Sequence, residues 1–112
     1  MTDWLAVADA AAAVAAEHAR EGDEQRRLPV AVVDALKDAG VLRMCVPEAY
    51  GGPQVDPPTM LRVIERIARA DGAAGWCTMI ASTTSLLSHY VEPARAKEIW
   101  GPVRNVTGGV FA

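Results

Sequence analysis

The chain has 112 residues, 51% of them hydrophobic but only 5% aromatic, with a net charge of −3 and an isoelectric point near 5.3. That length predicts one domain with a small core of short side chains. The lack of a basic excess argues against nucleic acid as a partner, since such affinity rests on clustered Lys and Arg. Cys45 and Cys77 stand far apart with no CxxC pairing, which gives neither a disulfide framework nor a zinc signature. Two free thiols fit a reducing cytoplasm. The N-terminus opens on Asp3 rather than on basic residues, so no secretory signal is read there.

In chain order, the Ala-rich stretch from about Asp3 to Arg20 predicts a first helix, with Thr2 or Asp3 as cap and Gly22 as stop. "RRLPVAVVDALKDAGV" predicts a second, with Pro29 in its first turn, Gly40 past its end, and Val32, Val33, Leu36 and Ala39 at helical period. Pro47, Gly51, Gly52, Pro53, Pro57 and Pro58 then break regularity, with a turn expected at Tyr50-Gly51-Gly52. A third helix is expected from about Pro58 to Ala70, with Leu61, Ile64 and Ala68 as its apolar stripe and Gly72 as its stop. "EPARAKEIWGP" predicts the fifth, with Glu92 near the cap, Pro93 in the first turn and Gly101 as stop.

The fourth helix, "GAAGWCTMIASTTSLLSHYV" (72–91), has no Lys, Arg, Asp or Glu but carries Ser82, Thr83, Thr84, Ser85, Ser88 and His89. Stepped at 100° per residue, Trp76, Met79, Ile80, Thr83, Leu87 and Tyr90 share one face, while Thr78, Ser82, Ser85 and His89 fall opposite. A water-facing surface would carry Lys and Glu, and a membrane span would rarely hold so many polar groups. The helix is therefore expected to be sheltered on most sides. Its hydroxyls read either as satisfied packing groups or as the few placed polar groups of an apolar pocket wall. The tail "VRNVTGGVFA" favours extended structure through Val103, Val106, Thr107, Val110 and Phe111. A lone strand cannot satisfy its backbone groups, so a β-rich region is expected to follow. The chain thus reads as an all-α bundle of about five helices over residues 1–102, with 103–112 opening the first strand of the next domain.

"LPVAVVDALKDAGVLRMCVPEAYGG" (28–52), "ARADGAAGW" (68–76) and "EPARAKEIWGP" (92–102) resemble, in order and spacing, the N-terminal helical domain of the acyl-CoA dehydrogenase superfamily. The resemblance implies an enzyme of three regions in which a β-domain and a C-terminal helical bundle follow, FAD sits between them, and homotetramers are common. In the dehydrogenase branch a carboxylate removes the α-proton of an acyl thioester while flavin accepts hydride from the β-carbon. That base lies in regions outside this chain, so no catalytic residue is assigned here. Matching the family's pocket helix to this sequence places Trp76, Met79 and Thr83 on the substrate wall. "GWC" and the stretch 92–112 also resemble the flavin-dependent monooxygenase branch, which hydroxylates aromatic or polycyclic substrates with reduced flavin (FAD or FMN) and oxygen. Thr84 aligns where some of those enzymes place a His near the flavin and is the candidate cofactor contact. The implied partners are an acyl-CoA or other small substrate, the rest of the same enzyme and further copies of it, with neither nucleic acid nor membrane. A freestanding, non-catalytic helical interaction module is the alternative from another class. Of the single residues, His89 reads as hydrogen-bonded to a neighbour rather than functional, His18 as solvated, Cys77 as an inert packing thiol, Arg26 and Arg27 as a surface pair, and Trp100 as core.

Overall fold

A computed structural model describes residues 1–109. Among them six α-helices and two short 3-10 turns follow one another, with no strand. Helix α1 (Trp4–Glu17) opens where the Asp3 carboxylate accepts from the N–H groups of Leu5 and Ala6, each at 3.1 Å. Its inner face is alanine alone, Ala8, Ala11, Ala12 and Ala15, which lets α1 lie close against its neighbours. The helix breaks at His18, and α2 (Ala19–Gln25) ends at Arg26, which adopts the left-handed conformation with φ 59°. The expected single helix to Arg20 with a stop at Gly22 is therefore corrected. Gly22 sits inside α2 because a Cβ there would come within 3.2 Å of the Pro29 ring; its bareness serves close approach, not a left-handed stop.

Helix α3 (Val30–Ala39) ends as expected at Gly40, φ 76°, whose N–H reaches the Lys37 carbonyl. The next six residues, Val41 to Val46, form no helix yet are all buried. A 3-10 turn at Glu48–Tyr50 closes on left-handed Gly51 (φ 78°), confirming the turn expected there. A Cβ on Gly52 would lie 2.1 Å from the Val46 carbonyl oxygen.

Helices α4 (Pro57–Ala70) and α5 (Gly72–Ser85) are joined by Asp71 alone. Gly72 does not stop α4; it starts α5, because Asp71 ends one helix and caps the next, its carboxylate accepting from Ala74 N–H at 3.1 Å. The stripe of α4 also needs correction. Met60, Val63 and Ile67 are buried with Ile64 half-buried, while Leu61 is 60% exposed. Leu61 and Ala68 stand roughly 80–100° round the helix from Met60, at the edge of an apolar arc whose centre faces α1 and the buried loop. After α5 the chain tightens into a 3-10 turn (Leu86–His89), and α6 (Pro93–Trp100) follows with buried Ala96 and Trp100.

One core joins α1, α3, α4, α5 and the buried loop around Leu36, Met44, Val63 and Ile67; a smaller cluster holds Val46, Ala96 and Trp100. Beyond α6 no regular structure is assigned from Asn105 to Gly109, and Val103 and Val106 are exposed. Val110 and Phe111, on which the extended reading of the tail also rests, lie outside the described residues. No helix among those described is long and apolar enough to cross a membrane.

The α4–α5 crossing depends on Gly75. A Cβ at that position would lie 2.4 Å from the Ala68 Cβ, so even one methyl must push the two helices apart. Gly75→Ala is expected to destabilise the chain by about 1–3 kcal/mol. A thermal melt followed by circular dichroism checks this, and an unchanged midpoint would mean the helices do not meet there.

Candidate functional site: the outward face of α5 and the cleft beside Trp76

Helix α5 is built the opposite way round from an ordinary surface helix, which turns its bulky apolar stripe inward. Its buried residues are Ala74, Gly75, Thr78, Ala81, Ser82 and Ser85. Its large apolar residues look outward: Trp76 is 64% exposed, Leu87 and Tyr90 just beyond the helix are exposed, and Met79 and Ile80 are half-buried.

The inward hydroxyls are satisfied in two ways. Thr78 donates to the Ala74 carbonyl (2.8 Å), Ser85 to Ser82 (2.6 Å) and Ser88 to Ser85 (2.6 Å), all within a turn. Two of the hydroxyls also reach the buried loop. Ser82 Oγ donates to the Val41 carbonyl at 2.5 Å, and Ser85 Oγ accepts the Cys45 N–H at 3.3 Å. His89, exposed in itself, donates from Nε2 to the Cys45 carbonyl at 2.7 Å. Among the described residues no buried side-chain N or O lacks a partner.

Trp76, Met79 and Thr83 fall at successive turns of the outward face, as the helical wheel requires. The hydroxyls of Thr83 and Thr84 donate to the carbonyls of Met79 and Ile80, each at 2.7 Å. Their protons are thereby engaged, while oxygen lone pairs stay free to accept. The tail passes beside this stretch: a Cβ on Gly108 would touch Ile80, and one on Gly109 would touch Thr84. Thr84 thus lies at the tail's edge and Trp76 at the open end.

Beside Trp76 opens a cleft of about 570 Å³, bordered by Gly22, Arg26, Arg27, Leu28, Trp76 and Cys77 among others. An apolar groove of about 500 Å³ adjoins it, lined by Leu28, Val33, Leu36, Leu42, Ala81 and Val106, and it shares Arg27 and Cys77 with the cleft. Met79 and Thr83 border neither. The sequence reading takes Arg26 and Arg27 as an ordinary surface pair; both are exposed, and the structure brings them to the mouth of this cleft. The only signal that could have found Arg26 is a helix stop without glycine. Cys77 is exposed rather than packed, and desolvation together with the charge of Asp71 raises its thiol above the ordinary value.

A second arginine does structural work that the sequence reading misses. Arg43, buried, donates to the carbonyls of Trp100 (2.5 Å) and Pro102 (2.6 Å). It thereby satisfies groups that the end of α6 leaves open. Burial lowers its pKa. Arg104 pairs with Asp34 and Asp38 of α3, and Trp100 Nε1 donates to Thr107 Oγ1 at 3.3 Å. These contacts fix the path by which the tail reaches α5.

The family model of the acyl-CoA dehydrogenase N-terminal domain matches residues 5–100. The chain belongs to this family. Curated relatives of this acyl-CoA dehydrogenase N-terminal domain carry both kinds of name. It is 38% identical to an indole-3-acetate monooxygenase of Pseudomonas putida over 81% of the chain and 24% of that protein. It is 31% identical to the oxygenase subunit of a flavin-dependent monooxygenase of Rhodococcus jostii, over 76% of the chain and 22% of the relative. A probable acyl-CoA dehydrogenase of Mycobacterium bovis is 35% identical over 74% of the chain and 24% of its own length. The chain thus spans about a quarter of the length of the curated relatives it matches. The all-α fold is that expected for this family's N-terminal domain. Among the described residues no group of three or more His, Cys, Asp or Glu is placed to hold a metal.

Two measurements check this picture of the domain. Ser82→Ala removes the buried donor to Val41 and is expected to cost about 1–3 kcal/mol, whereas Thr83→Val, which removes only a back-bond on the outer face, should stay within about 0.5 kcal/mol. Equal effects in chemical denaturation would contradict the assigned hydroxyl roles. Because the Cys77 thiol is held above its ordinary pKa, its thiolate is scarce at neutral pH. Alkylation by iodoacetamide should run slower than for free cysteine at pH 7 and climb only as pH rises beyond the ordinary thiol value, with buried Cys45 reacting only on unfolding. Faster-than-free alkylation at neutral pH would reverse that account.

Proposed function

We propose that this chain is the pocket-wall domain of a longer flavin-dependent oxidoreductase, and that the outward face of α5, with Trp76, Met79 and Thr83, forms one side of the substrate cavity. The supporting observation is the inversion of α5. A helix that hides its hydroxyls and presents Trp76, Met79, Ile80 and Leu87 outward offers the apolar surface with sparse polar groups that substrate pockets use. The rest of the same enzyme, and further copies of it, would supply the facing wall.

Flavin supplies the redox chemistry when bound. The described outer face of α5 offers it little: Thr84 Oγ1 has its proton on Ile80 and can only accept, and no cation stands among Met79, Ile80, Thr83 and Thr84 to meet a phosphate. A single accepting contact from Thr84 fits, and the remaining contacts are assigned to regions outside this chain. The chain's own contribution is to hold the substrate ring or acyl chain against Trp76 and to exclude water from that side.

Of the two chemistries, we favour hydroxylation of an aromatic substrate. An exposed indole provides a flat stacking partner, its bulk shortens a cavity that a long acyl chain would need, and two of the cited relatives are named monooxygenases. Dehydrogenation of an acyl thioester is the second reading, supported by the 35% identity to a probable acyl-CoA dehydrogenase. In the full-length enzyme, turnover of an aromatic substrate with reduced flavin and oxygen is expected to yield hydroxylated product, and anaerobic addition of acyl-CoA should leave oxidised flavin unbleached. Bleaching without hydroxylation would instead establish the dehydrogenase reading. Trp76→Ala should shift substrate preference by roughly tenfold, equivalent to about 1.4 kcal/mol. Unchanged preference would remove Trp76 from the pocket.

A further inference from the structure

The cleft beside Trp76 has features that a pocket wall alone does not require. Arg26 and Arg27 both border it. Neither guanidinium makes a hydrogen bond or ion pair among the described residues; Arg62, also exposed, makes none either, whereas Arg20, Arg66, Arg69, Arg95 and Arg104 do. Two acids also border the cleft, Asp23 and Asp71. The Asp71 carboxylate accepts from Ala74 N–H at the start of α5, which leaves its charge in place, so the cleft pairs two carboxylates with two guanidinium groups. Arg26 further occupies the left-handed conformation, φ 59° and ψ 32°, at the end of α2. Glycine or asparagine is the low-energy residue at such a position. Backbone strain of this kind tends to persist where the side chain has a function. Trp76, mostly exposed, stands at the same rim.

We propose that the Arg26–Arg27–Trp76 cleft binds the anionic end of a flat aromatic ligand, the ring stacking on Trp76 and its carboxylate or phosphate held by the two arginines. The chemistry is matched: guanidinium forks pair with planar or tetrahedral oxyanions through parallel hydrogen bonds, and the indole face takes the ring. The proposal rests on the pocket-wall reading for where the uncharged part of the ligand goes, from Trp76 out of the cleft toward the outward face of α5. The binding at the cleft can be read without it. The anion is either a substrate carboxylate or the phosphate of a nucleotide-like ligand, and both present the same oxygens to Arg26 and Arg27.

The test is a titration of the 112-residue chain followed by nuclear magnetic resonance, with no flavin and no turnover. Naphthylacetate, its uncharged amide and adenosine monophosphate are the probes. Naphthylacetate is expected to shift the Trp76 indole and the Arg26 and Arg27 signals saturably, with the amide at least roughly fivefold weaker. Arg27→Gln should abolish that difference while leaving Tm unchanged. Arg26→Gly should weaken acid binding by a similar factor yet raise Tm by about 4 °C, because glycine relieves the left-handed strain. Those opposite signs separate lost recognition from lost folding. Tighter binding of adenosine monophosphate at the same signals identifies phosphate as the anion and upholds the site. Equal binding of acid and amide, or arginine variants that bind like the parent chain, overturns it. In that event the pocket-wall reading still stands or falls on the substrate preference of Trp76→Ala in the full-length enzyme.

Discussion

Six consecutive residues, Val41 to Val46, run through the interior of this domain without forming a helix or strand, and their backbone amides and carbonyls must be met by something other than water. Leaving one such group unpaired costs about 1–3 kcal/mol, a large share of the stability of a small domain. The donors and acceptors come from around the loop. Ser82 meets Val41; Ser85 and His89 meet the two polar groups of Cys45; Val55 N–H meets Met44 at 2.8 Å; Gln54 N–H meets Val46 at 2.9 Å. Two hydroxyls of α5, Ser82 and Ser85, are thus structural partners of a buried loop, while Thr78, Thr83 and Thr84 bond back to carbonyls of their own helix.

That requirement determines which way α5 faces. With Thr78, Ser82 and Ser85 committed inward, helical geometry sends Trp76, Met79 and Thr83 outward, and small Ala74, Gly75 and Ala81 let α4 and the loop approach. The outward apolar face therefore follows from the loop's needs, and an exposed tryptophan does not require a separate explanation at the level of folding. Arg43 belongs to the same loop and extends its influence to the far end of the domain. By binding the carbonyls of Trp100 and Pro102, it fixes where the chain leaves α6, and so where Val106 to Gly109 run beside α5.

Much of this fold was legible from local rules. Gly40 and Gly51 do take the left-handed conformation at their turns, Asp3 does cap α1, and Pro93 does stand in a first turn, whereas Pro29, expected in the first turn of α3, stands one residue earlier as its N-cap. These signals act through the residue's own backbone, so sequence carries them directly. Tertiary packing decided the failures. Gly22 and Gly72 are glycines whose stop signal was overridden, one by the Pro29 ring and the other by Asp71 capping onward into α5. The stripe of α4 was displaced because its apolar arc is wider than its contact, and only the position of α1 and the loop chooses the centre. At the site, the common face of Trp76, Met79 and Thr83 was readable from periodicity, but its outward direction was not, since a hydrophobic pattern alone assigns such a face to the core. Arg26 was opaque for a related reason: left-handed backbone at an arginine leaves no compositional mark.

An interaction module without catalysis would also present an apolar face, and exposure alone does not separate it from an enzyme's pocket wall. The distribution of polar groups does bear on the difference. Protein interfaces are commonly ringed by polar and charged side chains around an apolar centre. Along α5 the order differs: hydroxyls whose protons are already committed to the helix lie within the apolar stripe itself, at Thr83 and Thr84, and charged groups of both signs, Arg26 and Arg27 with Asp23 and Asp71, gather at one end, beside Trp76. A surface with acceptors along its length and charged groups at its end is graded, and a gradient orients a small ligand that has one charged end and one uncharged end. On the proposed pocket-wall reading, a ligand lying along α5 would meet accepting oxygens along its length and charged groups at its end.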